Sequence, residues 1–309
     1  MKNSTNTTMC EIPLIGLDGS NPLAFMAALG TLRSLTLAWP ERCIKMSWRQ
    51  LDAAWRPVLH VSDEVSKEDL LDALENFLQN DFEKHPSKIW ECVLSCDIEQ
   101  RRSQSLNCAL TSSDKVNWLG GIGINTWADD IDNFDTQVRT TRKDYHIGNI
   151  KKIIRSTQKK HICATLFDNW AYLDGLNNQS LHLDPSEDRR HAYQWNEPTK
   201  DPSRKKRGNN LGANRLALEA FPIIYTIPIK NGLKTIGFSG RYSTEIRWRW
   251  PIWKTPIGLI IIPSLLSLEA IQKKYINYLS LYTQGIVCVY ESQRIVIEKT
   301  RNFTPARPV

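Results

Sequence analysis

The pattern of apolar and polar positions predicts a chain that alternates strands with amphipathic helices. Residues 11–17 form a short apolar run typical of a buried strand. A helix from Pro22 to Trp39 follows, capped by Ser20 or Asn21, and its interleaved small and large apolar residues predict close packing on a sheet. Arg33 would lie on the exposed side of this helix.

The next segments predict a hairpin, an acidic helix and a turn. Residues 44–49 and 55–61 alternate in strand fashion and are joined by a short connection. Residues 63–80 return to helical spacing, with apolar residues on one face and carboxylates on the other. The glycine-rich residues 116–127 predict a tight turn between two strands, in preference to a backbone that approaches a ligand.

A basic helix is predicted between residues 139 and 160. Isoleucines recur there at helical spacing, so the cations between them would form one face. These cations are Arg139, Arg142, Lys143, Lys151, Lys152, Arg155, Lys159 and Lys160. Such a face suits a polyanion, although an acidic protein partner would fit the charge equally well. Residues 161–174 predict a further helix with Trp170 and Leu173 buried.

The C-terminal third predicts antiparallel strands around a further helix. Strands are expected at 223–229, 235–239 and 244–250. In the last of these, tryptophan and arginine alternate, and we favour indoles that enter the core over indoles that stack on bases. Residues 263–281 predict one helix, and residues 286–298 predict a closing hairpin.

These elements together define an α+β fold, with mixed, largely antiparallel sheets and several packed helices. We expect a single α+β chain over residues 1–309, with a possible subdomain boundary near residue 115 or 180. No Gly/Ser-rich or Pro-rich linker marks that boundary.

The charge, cysteine content and apolar runs of the sequence limit the kinds of partner that the protein could bind. The 309 residues carry a net charge of +7, with a sequence pI near 9.0, which favours an anionic partner only where the cations cluster. Seven scattered cysteines indicate reduced thiols and a cytoplasmic protein. We find no signal-peptide pattern, and the most apolar stretch, residues 257–268, is too short to span a bilayer, so no membrane association is expected.

A second basic cluster lies in the central stretch, residues 181–222. Arg204, Lys205, Lys206 and Arg207 precede a helix that should begin near Ala213. The N-terminus of that helix would present unpaired N–H groups to a phosphate, with Asn214 and Arg215 in its first turn. The alternative is an ordinary ion pair between Arg215 and Glu219, one turn apart.

Candidate chemistry is sparse. No local catalytic motif is present, and although Gly16 and Gly19 could cradle a phosphate, the GxGxxG and P-loop patterns are missing. His146 or His161 could act as the base of a metal-independent ribonuclease. The cluster His182, Asp184, Glu187, Asp188 and His191 could hold a metal, and the aspartates between 129 and 135 could hold a cation. An ion-paired turn explains the first cluster better, a capped acidic helix start explains the aspartates better, and we predict no metal and no cofactor.

Four sequence segments resemble subunits encoded with type I-G (formerly I-U) CRISPR systems. They are LDGSNPLAFMAALGTLRSL, which begins at Leu17, the pair SLHLDPSEDRRHAYQW and GANRLALEAFP, and the closing RNFTPARPV. The resemblance implies a large or accessory subunit of an RNA-guided effector complex, with crRNA or target DNA and other effector subunits as partners. Sequence reading in such complexes belongs to the guide RNA, so a subunit needs backbone binding only.

The functional expectation is therefore a nucleic-acid-binding subunit without catalytic activity. Its contacts would come from the eight cations of the basic helix, from Arg204 to Arg207, and from Asn214 and Arg215. A ribonuclease, a metal nuclease and a purely structural scaffold remain the alternatives.

Overall fold

The structure is a computed structural model, and it describes residues 9–111, 113–122, 136–141, 143–174, 179–185, 208–229, 232–240, 246–297 and 300–309. Within them it has the α+β architecture expected from the sequence: helices packed against largely antiparallel sheets. No helix of the described residues is long and apolar enough to cross a membrane.

The first sheet has the strand order β1-β3-β2-β8. Its strands are β1 (Cys10–Pro13), β2 (Ile44–Leu51), β3 (Ala54–Val61) and β8 (Ile257–Gly258). The predicted hairpin is confirmed as β2 and β3, which pair in antiparallel register with Arg49 opposite Arg56. Asp52 and Ala53 make the turn with positive φ values of 49° and 63°.

Helix α1 (Pro22–Ala38) is the centre of the core. The Asn21 side chain caps it by accepting hydrogen bonds from the N–H groups of Leu23 and Ala24, as the sequence predicts. Residues 22–35 are all buried. Phe25 stacks on Trp48 of β2 and lies 5.5 Å from the Trp250 ring, so α1 joins the two large sheets.

A helical layer covers the other side of α1. It consists of α2 (Lys67–Leu78), α3 (Lys88–Ser95), α4 (Ile98–Thr111), α5 (Ser113–Ile122), α6 (Lys143–Ser156), α7 (Lys159–Phe167) and α8 (Leu211–Leu218). The predicted acidic helix is confirmed as α2, where Ser66 and Asp69 form a capping box. Helix α8 crosses α1 so closely that a Cβ on Gly30 would lie 1.7 Å from the Leu216 carbonyl oxygen.

The C-terminal third forms a second sheet around β9 (Ile286–Ile297). β7 (Arg247–Trp253) pairs with β9 on one side and with β6 (Phe238–Ser239) on the other, and β10 (Thr300–Phe303) and β11 (Arg307–Pro308) also pair with β9. A small hairpin, β4 (Thr226–Ile229) and β5 (Gly232–Thr235), precedes it. Trp248 and Trp250 of β7 are buried, so the prediction of core indoles is confirmed.

Two C-terminal predictions are wrong. Residues 263–281 form not one helix but three short ones, α9 (Ile262–Leu266), α10 (Glu269–Gln272) and α11 (Tyr278–Thr283). Arg249 donates to the carbonyl oxygens of Ile271 and Lys273, which takes acceptors that a continuous helix would use. Residues 286–298 do not form a hairpin, because polar residues in their centre find partners across the sheet: Glu291 pairs with Arg249, and Ser292 donates to the Thr304 carbonyl.

Three predictions in the helical layer are also wrong. The predicted turn at 116–127 falls largely within helix α5, and residues 123–127 lie outside the described part of the chain. Leu173 is exposed, since α7 ends at Phe167. Arg33 is buried, because its guanidinium pairs with a carboxylate 186 residues away, which local spacing cannot indicate.

Candidate nucleic-acid interface

Helices α6 and α7 carry the cations of the predicted basic helix. Ile147, Ile150, Ile153 and Ile154 are buried, so one side of α6 packs inward as its spacing predicts. The helix does not run through to residue 160: it ends at Ser156, and Gln158 caps α7, which begins at Lys159. The two helices therefore divide the predicted cationic face between them.

Three of these cations pair with acidic groups of the protein itself. Lys151 hydrogen-bonds to Glu91 of α3, and Lys159 hydrogen-bonds to Asp72 and Glu68 of α2. The bonds to Asp72 and Glu68 raise the pKa of Lys159 above its ordinary value. Arg155 lies 4.0 Å from Asp81 and remains largely exposed. Lys151 and Lys159 thus fasten α6 and α7 to the acidic helices, and their charge is already matched.

Lys152 and Lys160 differ from these residues. Both are exposed, and neither has an ion pair within the described part of the chain. Arg155 lies between them in sequence, with an ion pair at the limit of contact distance. We call Lys152, Arg155 and Lys160 the α6–α7 cationic surface.

The structure describes less of the other cations that the sequence predicts to bind nucleic acid. Arg139 is half-buried and donates to the Thr141 carbonyl oxygen at 3.1 Å. Lys143 begins α6, but its side chain lies outside the described set, as do Arg142 and the whole segment from Arg204 to Arg207. Those residues stay predictions.

The predicted phosphate site at the start of α8 is wrong. Asn214 and Arg215 are 0% and 1% exposed and cannot reach a nucleic acid. Protein groups already satisfy the N–H groups of this terminus, because Asn210 accepts from Ala213 and Asp174 accepts from Leu211. Asn214 donates to the Asn209 side chain and accepts from the Leu181 N–H, so it also holds the fold together.

Arg215 instead belongs to a buried charge cluster around Glu219. The Glu219 carboxylate accepts from Arg215 at 2.6 Å and from Arg33 at 2.9 Å. Arg33 also pairs with Asp114 at 2.6 Å and lies over the Trp118 ring. The alternative of an Arg215–Glu219 ion pair is therefore confirmed, with a second arginine that the sequence did not indicate.

His85 completes this cluster as a neutral ring. Its Nδ1 accepts from the Ser87 N–H, so Nε2 carries the proton and donates to Glu219 at 2.7 Å. Burial lowers the pKa of His85 below its ordinary value. Burial alone would raise the pKa of Glu219, but Arg215, His85 and Arg33 outweigh it, and the pKa lies well below its ordinary value.

The histidine candidates for catalysis are poorly placed. His146 is buried between the rings of Trp90 and Phe221, and burial lowers its pKa to about 3, so it cannot take a proton from a substrate in solution. His161 accepts from the Gln158 N–H and lies 3.8 Å from Asp174, as part of the α7 cap.

Neither does the described part of the chain contain a metal cluster. No group of three His, Cys, Asp or Glu side chains there is placed to hold an ion. Of the cluster proposed from the sequence, His182 and Asp184 are described, whereas Glu187, Asp188, His191 and the aspartates between 129 and 135 lie outside the described residues.

A serine, a histidine and an acid do meet on the first sheet. Ser47 Oγ is 2.8 Å from His60 Nε2, and His60 Nδ1 is 3.6 Å from Glu11. Ser47 is only 4% exposed, so a substrate carbonyl or phosphate cannot reach its oxygen. These contacts provide hydrogen-bond partners for buried side chains on neighbouring strands, and Ser47 does not act as a catalytic nucleophile.

The sequence did not predict a cleft of about 530 Å³ that lies at the start of α1. Five separate parts of the chain line it, and three of them are the turn before α1 with the start of that helix, Arg56 of β3, and Asn169, Trp170 and Tyr172 after α7. Asp184, Pro185, Pro305 and Ala306 complete the wall. Its volume falls in the range of about 300–1,000 Å³ that ligand sites occupy.

The glycine pair noted in the sequence was the available signal for this cleft. Gly16 lines it and donates its N–H to the Leu166 carbonyl oxygen, and a Cβ there would lie 2.2 Å from the Thr165 carbonyl oxygen. Gly16 therefore lets the turn before α1 approach the end of α7. It serves the packing of the cleft wall, while Gly19 packs against Trp48 and Ile252.

Aromatic residues form one corner of the cleft. The Trp170 and Tyr172 rings meet edge to face, with centroids 6.0 Å apart and planes at 84°. Trp170 Nε1 donates to the Thr165 carbonyl at 3.1 Å, which fixes the indole. Tyr172 has a φ of 54°, a conformation that costs a residue other than glycine on the order of 1–3 kcal/mol.

The fold defines the molecule as an α+β protein with two large antiparallel sheets joined by one buried helix. No known protein family, curated protein or solved structure matches the chain. Its function has to be argued from its own residues.

Proposed function

We propose that this chain is a non-catalytic nucleic-acid-binding subunit of a CRISPR RNA-guided effector complex, acting in the cytoplasm. It would contact the phosphate backbone of crRNA or target DNA and pack against other subunits of the complex. The effector context rests on the sequence resemblance, and the binding role rests on the charge of described residues.

The observation that carries the binding role is the α6–α7 cationic surface. The structure matches Lys151 and Lys159 with carboxylates but leaves Lys152 and Lys160 exposed without one in the described residues. Solvated cations that neutralise phosphates release counterions, which is the main source of affinity in binding without sequence readout.

A second cation-rich segment supports the same role. The described chain stops at Pro185 and resumes at Gly208, which donates its N–H to the Tyr172 carbonyl oxygen. Pro185 and Tyr172 both line the cleft, so the described residues on either side of segment 186–207 lie beside it or contact its lining. By sequence this segment holds seven cations and four acids, and Tyr193 and Trp195 lie between them.

The absence of catalysis is proposed because the sequence candidates have structural roles. His146 is buried and His161 caps α7, and Ser47, which meets His60 only in the structure, is inaccessible. Incubation of labelled RNA and DNA with and without EDTA tests this point. Cleavage that survives EDTA would indicate a metal-independent ribonuclease, and cleavage that EDTA abolishes would indicate a metal nuclease.

The binding role is tested by salt dependence. We expect the double variant Lys152→Ala/Lys160→Ala to bind single- and double-stranded probes more weakly at every sequence. Its slope of log affinity against log salt should fall by roughly 1.4–1.8, since each phosphate contact contributes about 0.7 on single strands and 0.9 on duplexes. Filter binding at several salt concentrations measures both quantities.

The matched control removes the same charge elsewhere. Lys254 follows β7 and Lys274 follows α10, and both are exposed. Lys254→Ala/Lys274→Ala should leave the slope unchanged if the α6–α7 cationic surface makes the contacts. Equal loss in both double variants would mean that only net charge matters. A wild-type protein that binds no probe but co-purifies with effector subunits would be a structural scaffold.

A further inference from the structure

The cleft at the start of α1 has the chemistry of a nucleotide site. We propose that it binds one unpaired nucleotide of a single strand, with the base against Trp170 and Tyr172 and its phosphodiester against Arg56. This inference rests on the proposed nucleic-acid binding and names the part of the ligand that the cleft would take.

The aromatic corner provides the surface for the base. Two rings at 84° offer one face for stacking and one edge for lateral contact, so a planar ring can be held on two sides. Bases of single strands commonly bind proteins by stacking on such side chains, whereas bases within a duplex are already stacked on their neighbours. The corner therefore selects an unpaired base.

Arg56 provides the positive charge. It is half-buried, lines the cleft, and has no hydrogen bond or ion pair to any described residue. Its neighbour Arg49, directly opposite on β2, is committed to Glu11 at 2.6 Å. A guanidinium that lacks a protein acceptor can hold a phosphate oxygen with two parallel N–H donors.

Polar side chains that line the cleft beside the Trp170 and Tyr172 rings could form hydrogen bonds to the edge of a base. Asp18 uses one carboxylate oxygen for the Ser20 N–H and hydroxyl, and its other oxygen has no partner in the described residues. Asn21 uses its carbonyl oxygen to cap α1, and no described acceptor takes its amide N–H groups. Asn169 is exposed on the opposite wall. The cleft thus offers both an acceptor and donors.

The charges of the lining residues narrow the ligand further. Arg56 is the one cation among the described residues that line the cleft, so it can neutralise one phosphate charge but not the two charges on the terminal phosphate of a free nucleotide. A phosphodiester within a strand carries a single charge and suits Arg56. The Asp18 oxygen that Ser20 does not use can accept a hydrogen bond from an amino group of adenine, cytosine or guanine, or from the ring N–H of guanine, uracil or thymine.

The test compares short labelled homopolymers by fluorescence anisotropy. We expect adenine strands to bind more tightly than uracil or thymine strands, because a purine has the larger face for stacking, and free mononucleotides to compete poorly. Arg56→Gln should weaken single-strand binding several-fold, and Tyr172→Leu should weaken it by roughly fivefold or more, the effect of one lost stacking contact. Melting curves of both variants check that they fold.

The matched control is Arg49→Gln, which removes the same charge from the facing position on the hairpin but from outside the cleft. It should leave single-strand binding nearly unchanged. Equal losses in Arg49→Gln and Arg56→Gln would overturn the inference, because only the local field would then matter.

A second measurement locates the base without any variant. Strands that contain 5-bromocytosine crosslink to adjacent aromatic side chains on irradiation, and mass spectrometry should find the crosslink on Trp170 or Tyr172. Crosslinks confined to other segments would overturn the cleft assignment. If Arg56→Gln binds normally while the Lys152/Lys160 variant loses its salt slope, the cleft inference fails and the proposed function stands. If no strand binds at all, both fail.

Discussion

Replacing Glu219 by glutamine should destabilise the fold more than any surface change. The substitution keeps the shape of the side chain but removes the charge that two buried guanidinium groups share. Glutamine keeps one acceptor oxygen, but its NH2 group would face a donor that Glu219 now accepts from. Arg33 would still have the Asp114 carboxylate, whereas Arg215 would have only neutral acceptors, such as the Leu78 carbonyl oxygen at 3.2 Å, among the described residues. Arg215 would then be a buried cation without a counter-ion.

The expected cost follows from the burial of these groups. The Arg215 and Glu219 side chains are 1% and 3% exposed, so water cannot replace the lost partner. Breaking a buried pair from one side costs about 3–5 kcal/mol. The total stability of a protein is only about 5–15 kcal/mol, so this single change should remove a large share of it.

Equilibrium urea unfolding, followed by tryptophan fluorescence and circular dichroism, measures this loss. Arg155→Ala is the control, because it breaks an exposed pair and should cost at most about 1 kcal/mol. The double variant Arg215→Met/Glu219→Gln removes both charges and should recover part of the stability. A loss below about 1 kcal/mol for Glu219→Gln would refute the reasoning.

Further predictions concern packing and pH. Gly30→Ala should destabilise the fold strongly, because the new methyl group would clash with the Leu216 carbonyl oxygen. Gly148→Ala in α6 should instead stabilise the fold by about 0.5–1 kcal/mol, because its methyl group meets no atom within 4 Å and alanine favours a helix more than glycine does. Urea unfolding measures both, and similar effects of the two changes would contradict the close helix crossing. Folding lowers the pKa of His146 from 6.5 to about 3, so its contribution to stability is complete above pH 6.5 and is lost as the pH falls toward 3. NMR titration of the imidazole measures this pKa, and a midpoint near 6.5 would show that the ring is accessible.

Sequence periodicity correctly predicted the helices and strands that are determined by residues close together in the chain. Helix α1, the β2–β3 hairpin and α2 follow from spacing, caps and alternation within a few residues, and the structure confirms them. The predictions at 263–281 and 286–298 failed because Arg249 and Glu291 act across the sheet. The periodicity of a segment carries no information about contacts with residues far away in the sequence.

In the candidate sites, too, residues close together in sequence could be predicted, and residues that meet only through the fold could not. Clustering in sequence singled out Lys152 and Lys160, which the structure shows to be exposed, and their contact with nucleic acid stays a prediction. Asp18, Arg56 and Trp170 meet only in the folded chain, so no motif could join them. Arg215 was assigned to phosphate because the residues that complete the charge cluster around its partner Glu219, Arg33 and His85, are far away in sequence.

The crossing of α1 and α8 also bears on how the chain is made. Helix α1 is buried along residues 22–35, and its cover includes α8, whose Glu219 end lies 186 residues after Arg33. At synthesis rates of roughly 5–20 residues per second, about 10–40 s pass between the emergence of the two helices from the ribosome. During that time an apolar helix lacks part of its cover, so chaperones that hold apolar segments should bind the nascent chain, and slower growth at low temperature should raise its soluble yield.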